Sequence, residues 1–373
     1  MDSLKNIKSG LLYIRILGLF LFFSTAHAQI QPDSTQTKVD TTKKSKIKFS
    51  AMPMINYNRT QGAVVGAMTS VFYKVNEKDT ISPPSQSMLI GIYTAEKSWM
   101  AGFVQQFYLK EDKWRAKAIA FKGNINYQFF NGDPSTNVGD FEDYTNDVVM
   151  ISAQVHRKIW KRLYGGLYGE YNNSKTYFRA QNDSLDERNL SNIGYVLSQD
   201  SRDNVYYPTT GKFINLLNQF YRKWTGSDND FNRFKLNYNQ FFNLKKDQRH
   251  ILIGRANLEI ATGDVPFQAE AVIGQDDIRG YSEGKYRGNQ LYALQSEYRY
   301  TFNESRFGLV GFAGVASAVE NFSDIFDTSL LPGVGAGVRY CLIRSMKINI
   351  GVDVGVGKGD YSITFRIGES FTR

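Results

Sequence analysis

The sequence predicts an all-β protein, a 16-stranded antiparallel transmembrane β-barrel of the outer membrane. Apolar and polar residues alternate along many long runs, and the links between these runs are short and long in turn. The 373 residues include 26 Phe, 23 Tyr and 32 Gly but only 8 Pro, which suits strands and interfacial aromatic girdles. No apolar run reaches the about 18 residues of a spanning helix, which excludes a helical membrane protein.

Residues 1–28 have the segment order of a secretory signal peptide. Met1–Arg15 carries three basic residues, Ile16–Phe23 is apolar, and Ala26-His27-Ala28 is a small-residue cleavage site. Because the apolar stretch is about half as long as a spanning helix, we expect cleavage and export in preference to an uncleaved anchor.

Residues 29–46 are rich in Thr and Lys and have no periodicity, so they predict a flexible periplasmic tether. No second linker follows. Residues 47–373 are therefore expected to form a single transmembrane barrel domain.

The strand prediction rests on a period of two. In residues 346–357, Met, Ile or Val occupies every second position, and Lys, Asn, Gly or Asp occupies the others. Such alternation gives a strand one apolar and one polar face. A soluble β-sandwich also alternates, but its strands usually have about 5–6 residues, whereas this run has 12. The 16 predicted strands start near residues 50, 62, 85, 98, 113, 144, 163, 186, 211, 228, 249, 288, 306, 331, 345 and 361.

The links between these runs fit the two ends of an outer-membrane barrel, with short periplasmic turns and longer outer loops. Short links are predicted at residues 111–112, 161–162, 303–304 and 343–344, and long ones at 131–143, 180–185, 263–287 and 320–330. Aromatic residues near strand ends are assigned to interfacial girdles: Tyr206, Tyr207, Tyr298, Tyr300, Phe302 and Phe371.

The composition argues against catalysis, metals and cofactors. A single cysteine, Cys341, excludes an intramolecular disulfide and a Cys-rich metal site. His156 and His250 are expected to be solvated residues at strand ends. Gly351–Gly359 imitates a phosphate loop, but Gly359 replaces the Ser or Thr that should follow Lys358, so small inward-facing residues are expected there. The net charge of +9 is spread over the chain, which argues against nucleic-acid binding.

Two segments depart from simple alternation. The first is a predicted periplasmic turn at Asp200–Gly211, in which Arg202 and Asp203 can pair locally. Its motif residues are Arg202, Asp203, Asn204, Pro208 and Gly211. The second is the long loop at residues 263–287, which contains Ile278-Arg279-Gly280-Tyr281 and precedes a strand that carries Glu297.

At these residues the sequence resembles the BamA/TamA-like bacterial surface antigen family of outer-membrane barrels. The resemblance runs from Met52 to Arg373 and includes the opening segment Pro53–Ala67. It implies that the loop folds back into the lumen, where Arg279 meets inward-facing acidic residues, with Glu297 as one partner. The second acidic partner is missing, because Gly314 stands where the family often has Asp. Arg279 would then either stabilise a folded loop or take part in gating.

The resemblance also implies a lateral seam where the first strand meets the last. Pro53 lacks an N–H for the ladder, and Gly368 is expected to bend the last strand. Such a seam could open sideways and offer an edge to a nascent strand. Ordinary strand-end composition is the alternative explanation.

The expected function is assistance in the insertion or translocation of envelope proteins. The expected partners are outer-membrane lipid and lipopolysaccharide, client envelope proteins and a periplasmic partner protein. That partner would supply a substrate-binding module, because the tether is too short to hold the family's periplasmic repeats. A passive diffusion channel and a plugged structural or interaction barrel are the alternatives.

Overall fold

The computed structural model describes residues 47–371, except 59–60, 134–137, 180–183, 327, 329 and 345–346. The predicted signal peptide (residues 1–28) and tether (29–46) lie outside the described residues. Within the described part, no helix is long and apolar enough to cross a membrane.

The described chain is built from antiparallel strands. Seventeen of them form one sheet: β1 (Lys48–Asn58), β2 (Gly62–Tyr73), β3 (Ser85–Thr94), β4 (Trp99–Leu109), β5 (Trp114–Asp133), β6 (Val138–Trp160), β7 (Leu163–Phe178), β8 (Ser184–Asn189), β9 (Asn192–Asp200), β10 (Gly211–Tyr221), β11 (Phe231–Asn243), β12 (His250–Gly263), β15 (Gln290–Thr301), β16 (Phe307–Val319), β17 (Leu331–Ile343), β18 (Ile348–Gly357) and β19 (Asp360–Ile367). The short strands β13 (Ala271–Val272) and β14 (Arg287–Gly288) pair within the long loop between β12 and β15.

Successive strands pair with their chain neighbours around a ring. Strands β8 and β9 both pair with β7, β8 with its second half and β9 with its first half. They are therefore two parts of one broken strand, and the 17 strands occupy 16 positions. The predicted antiparallel all-β fold is confirmed.

The first and last strands meet along a short ladder. Tyr57 pairs with Ile363 and Asn58 pairs with Ser362. By contrast, 11 residue pairs join β1 to β2 along the whole of β1. In the described residues, backbone pairing between β1 and β19 therefore covers only a short part of this seam.

Alternation places one face of each strand inside. In β9, Asn192, Val196 and Ser198 are buried, whereas Tyr195 and Leu197 are exposed on the outer surface. Large apolar side chains that would be costly to expose to water thus face outward, as lipid contact requires.

Two links on the predicted periplasmic side are longer than the other described links at that end. Residues 74–84 join β2 to β3, and residues 201–210 join β9 to β10. Asp79 of the first link accepts hydrogen bonds from the amides of Glu111 (2.8 Å) and Ser82 (2.8 Å).

Four side-chain assignments were wrong. Tyr207 is 8% exposed and Phe371 is fully buried, so neither belongs to a girdle. Tyr206 is partly buried and stacks edge-on against Phe72, so it also lies inside the mouth. His156 is 7% exposed, because it occupies an inward position in β6 with Nδ1 3.5 Å from Ser198 Oγ.

Candidate functional site

Residues 264–289, here called the lumen loop, fold back into the barrel. Asp277 Oδ2 accepts a hydrogen bond from the amide of Gly274 (3.1 Å), and the Ile278 amide donates to Gly274 O (3.1 Å). This tight turn brings Ile278 and Tyr281, both fully buried, against the inner face of the barrel wall. Their apolar cluster also contains Ala271, Ile273, Leu291, Ala293, Ala316 and Leu331. The loop is therefore held partly by apolar packing.

Arg279 is 1% exposed and is held by carboxylates from two strands. Its Nη1 lies 2.6 Å from Glu297 Oε2 and 3.1 Å from Asp353 Oδ2. Its Nε donates to Gln295 Oε1 at 3.1 Å, and its guanidinium stacks 3.6 Å from the ring centroid of Phe312. A guanidinium buried this deeply requires such pairing, because an unpaired buried charge is strongly destabilising.

The expectation that the second acidic partner is missing was wrong, because Asp353 of β18 supplies it. Gly314 of β16 lies close to the neighbouring strand β15, and a Cβ there would meet Gln295 Cγ at 2.5 Å. Asp353 replaces the missing acid from the opposite flank of the loop. Its signal in the sequence was a lone carboxylate on the polar face of an otherwise Gly- and Asn-rich strand.

Residues 278–281 pack against glycines of β17 and β18, here called the glycine track: Gly333, Gly355 and Gly357. Gly280 has φ +111°, and its backbone lies so close to Val356 that a Cβ would meet the Val356 carbonyl carbon at 2.7 Å. A Cβ at Gly357 would meet Tyr281 Cζ at 2.4 Å. Tyr281 Oη donates to Pro332 O (2.6 Å) and accepts from the Lys358 amide (2.8 Å). The segment Gly351–Gly359, which imitates a phosphate loop, thus forms the surface against which the lumen loop packs.

Arg279 belongs to a larger set of buried ions, here called the arginine network. Arg299 Nε lies 2.7 Å from Glu297 Oε1, and Arg339 Nη1 lies 2.5 Å from Asp353 Oδ1. Arg366 Nε lies 2.8 Å from Asp353 Oδ2. The network comprises Arg279, Arg299, Arg339 and Arg366 with Glu297, Asp353 and Glu369. Four cations against three anions leave it one positive charge.

In the predicted periplasmic turn at Asp200–Gly211, the motif residues fix the shape of the backbone. Asp203 accepts from the Thr209 amide (2.8 Å) and hydroxyl (2.6 Å), and Asn204 Oδ1 accepts from the Tyr206 amide (2.7 Å). Gly211 has φ +95°, and a Cβ there would meet Ser201 O at 2.2 Å. These contacts give the turn one fixed shape.

Arg202 pairs with Asp200 (2.8 Å), so the expected local pair with Asp203 was wrong: Asp203 is used to close the turn. Pro208 is buried. Tyr206 Oη donates to Pro84 O (3.0 Å), and Tyr207 Oη lies 3.3 Å from Thr301 Oγ1. The turn thus bridges strands on different sides of the mouth.

The two seam residues differ in what they do. Pro53 is exposed and lies opposite Ala67 in the ladder between β1 and β2. Gly368 follows β19 with φ +80°, and its amide donates to Asn349 O at 2.7 Å. Gly368 therefore turns the chain after β19 has ended.

The profile of the Omp85 superfamily domain matches residues 94–371. The chain belongs to the Omp85 superfamily. The predicted resemblance to BamA/TamA-like outer-membrane barrels is thereby confirmed, and membership agrees with the prediction of a non-enzymatic protein.

Relatives of this Omp85 chain include the outer membrane protein assembly factor BamA of Nitratidesulfovibrio vulgaris. It is 22% identical over 353 residues, which cover 86% of this chain and 41% of that protein. The chain thus spans less than half the length of this curated relative.

Solved structures show the same fold. BamA from Haemophilus ducreyi lacking POTRA domains 1–3 superposes with a TM-score of 0.57 at 12% identity, covering 85% of this chain and 69% of that one. CdiB from Acinetobacter baumannii superposes with a TM-score of 0.56 at 14% identity, covering 87% and 60%.

Among the residues that the structure describes, no group of three or more His, Cys, Asp or Glu side chains is arranged to hold a metal ion. The acidic residues of the arginine network are instead engaged by guanidinium groups. The chemistry of this Omp85 site is charge pairing and loop docking.

Proposed function

We propose that this Omp85 barrel assists the insertion or translocation of envelope proteins at the outer membrane. The observation that carries the proposal is the short seam, with two residue pairs between β1 and β19. Eight residue pairs join β18 to β19 and 11 join β1 to β2, so the seam is the weakest junction beside either strand.

Physical chemistry supports an opening at this junction. Each net backbone hydrogen bond contributes about 1 kcal/mol where water can replace it. A ladder of two pairs therefore costs less to separate than the ladders of eight and 11 pairs on either side. A separated strand presents donors and acceptors that another strand can pair with. A client strand could thus add to β1 while the rest of the ring stays intact.

A locked seam tests the proposal. In a Cys341→Ser background, Tyr57→Cys with Ile363→Cys joins two residues that face each other across the seam. The matched control pairs Ile363→Cys with Val354→Cys, which face each other in the β18–β19 ladder. The readout is insertion of a reporter barrel into vesicles that contain the oxidised protein.

We expect the seam disulfide to abolish assistance until a reductant is added, and the control disulfide to leave it intact. Assistance that persists with the seam locked would refute lateral opening.

A plugged interaction barrel is the second candidate. The lumen loop, the turn at residues 201–210 and the segment after β19 all bury side chains inside the barrel, which favours a plugged lumen over an open diffusion channel. Pull-down from native outer membrane separates the two functions, because an insertion factor is expected to retain client proteins.

The protein is proposed to act in the outer membrane together with lipids and protein partners. Export through a cleaved signal peptide at residues 1–28 would deliver the chain to the outer membrane, where lipid and lipopolysaccharide surround its outer face. A periplasmic partner protein would bring client chains to the mouth near residues 201–210. The names of the relatives, an assembly factor and CdiB, support an envelope role.

A further inference from the structure

Residues 368–371, which follow β19, turn into the barrel. This exit segment, Gly368–Phe371, begins at the positive φ of Gly368. Phe371 is fully buried and packs with Phe241 of β11 and Ile251 and Ile253 of β12. Strand β12 is five of the 16 positions from β19 around the ring, so the segment reaches a part of the wall well away from its own strand.

Glu369 ties the exit segment to the arginine network. Its Oε2 accepts from Arg339 Nε at 3.0 Å and lies 3.5 Å from Arg299 Nε, and its Oε1 accepts from Asn349 Nδ2 at 2.7 Å. Arg339 and Arg299 are the same side chains that hold Asp353 and Glu297, the two carboxylates that pair with Arg279. A single side chain therefore separates Glu369 from each carboxylate of the loop anchor.

Phe371 of the exit segment also contacts Arg279 directly. The guanidinium carbon of Arg279 lies 5.2 Å from the Phe371 ring centroid, and that of Arg255 lies 5.4 Å from it. Arg255 Nη1 also donates to Ser370 O at 3.3 Å. A cation over an aromatic face is favourable and more so when water is excluded. The exit segment thus contacts the lumen loop directly as well as through ions.

Charge balance makes this coupling obligatory. With Glu369 in place, four arginines face three carboxylates. Without it, the same four face two, and Arg299 and Arg339 each lose an anionic partner while at most 4% exposed. Guanidinium groups buried at this depth then compete for Glu297 and Asp353, which weakens the hold of both carboxylates on Arg279.

We propose that Glu369 is a positioning residue that couples the exit segment of the seam strand to the docking of the lumen loop. Displacement of the segment from the lumen loosens the loop, and release of the loop loosens the segment. Thermodynamic linkage requires the effect to be equal in both directions. The inference goes beyond the proposed function, because it concerns two segments of this chain and needs no client.

Hydrogen exchange on the full chain in lipid tests the coupling. Glu369→Gln keeps the shape of the side chain and removes its charge. We expect amides of residues 275–283 to exchange at least tenfold faster, while those of the outer link at residues 222–230 keep their rate. Glu304→Gln, at an exposed carboxylate in the turn between β15 and β16, is the matched control and should change neither.

The reciprocal variant, Arg279→Lys, should speed exchange at residues 368–371. If Glu369→Gln fails to fold, Phe371→Leu is the milder variant and should loosen the same loop amides. Faster exchange confined to residues 368–371 in either exit-segment variant, with the loop unchanged, would overturn the proposal. A client-insertion defect with intact coupling would bear on the proposed function alone.

Discussion

Arg279 Nη1 lies 3.1 Å from Asp353 Oδ2, although 74 residues separate the two in the chain. The contact joins the lumen loop to β18, and Asp353 is shared with Arg339 and Arg366. A single carboxylate thus forms ion pairs with three guanidinium groups.

Asp353→Asn should therefore destabilise the barrel more than any exposed acidic substitution. Removing one partner of a buried ion pair costs about 3–5 kcal/mol, because it leaves uncompensated charge. Urea unfolding in lipid vesicles measures the change. Glu304→Gln, at an exposed carboxylate in the turn between β15 and β16, is the control and should change the free energy of unfolding by less than about 0.5 kcal/mol. Equal effects of the two variants would contradict the central place of Asp353.

Gly357→Ala should displace Tyr281. The added Cβ would meet the phenol ring at 2.4 Å, and overpacking of this kind costs about 1–3 kcal/mol. Gly311→Ala is matched, because a Cβ there meets nothing within 4 Å. Tryptic cleavage at Lys285 reports the loop. Faster cleavage is expected for Gly357→Ala only, and equal rates would show that the glycine track does not seat the loop.

The wild-type barrel should conduct poorly in planar bilayers. Its lumen holds buried loop side chains such as Ile278 and Tyr281. Replacing residues 275–282 with a Gly-Ser linker should raise single-channel conductance severalfold, while the same replacement of residues 323–326 should not. High conductance of the wild type would favour a diffusion channel.

The link at residues 74–84 should stay docked down to strongly acidic pH. Hydrogen bonds from the Ser82 hydroxyl, the Ser82 amide and the Glu111 amide hold the pKa of Asp79 well below its ordinary value of 3.8. Because the folded-state pKa is lowered, the stabilisation is present above pH 3.8 and is lost as pH falls through the lowered value.

The amide chemical shift of Glu111, followed by NMR from pH 7 downward, reports this titration. Its midpoint should lie below the ordinary value for Asp, and Asp79→Asn should abolish it. A midpoint at or above that ordinary value would show that these hydrogen bonds do not stabilise the charged form.

The sequence predicted the strands well because their period of two is local. Each of the 16 predicted starts lies at or near a strand of the sheet. Glu297 could be assigned because the family resemblance implies an acidic partner for Arg279, and Glu297 lies on a polar face beside Arg299. The contacts that Asp353, Glu369 and Phe371 make inside the barrel could not be predicted. These residues meet partners from strands that lie far apart in the chain, which no local pattern encodes.

Aromatic residues near strand ends show the same limit. Tyr298 is 40% exposed on the outer face, as a girdle residue should be, whereas Tyr207 and Phe371 turn inward. All three look alike in the sequence. The positive φ of Gly368 and the contact between Tyr207 Oη and Thr301 Oγ1 decide which side of the wall the chain takes, and that contact joins segments far apart in the chain.

Site-specific photo-crosslinking during reporter insertion tests the central claim most directly. A photoreactive residue at Tyr57 lies on the seam edge of β1, where its ring stacks 5.7 Å from that of Tyr361. One at Tyr195, 42% exposed on β9 across the ring, is the control. The account predicts that the inserting client crosslinks to position 57 and not to position 195. Equal crosslinking at both positions, or none at position 57, would contradict it.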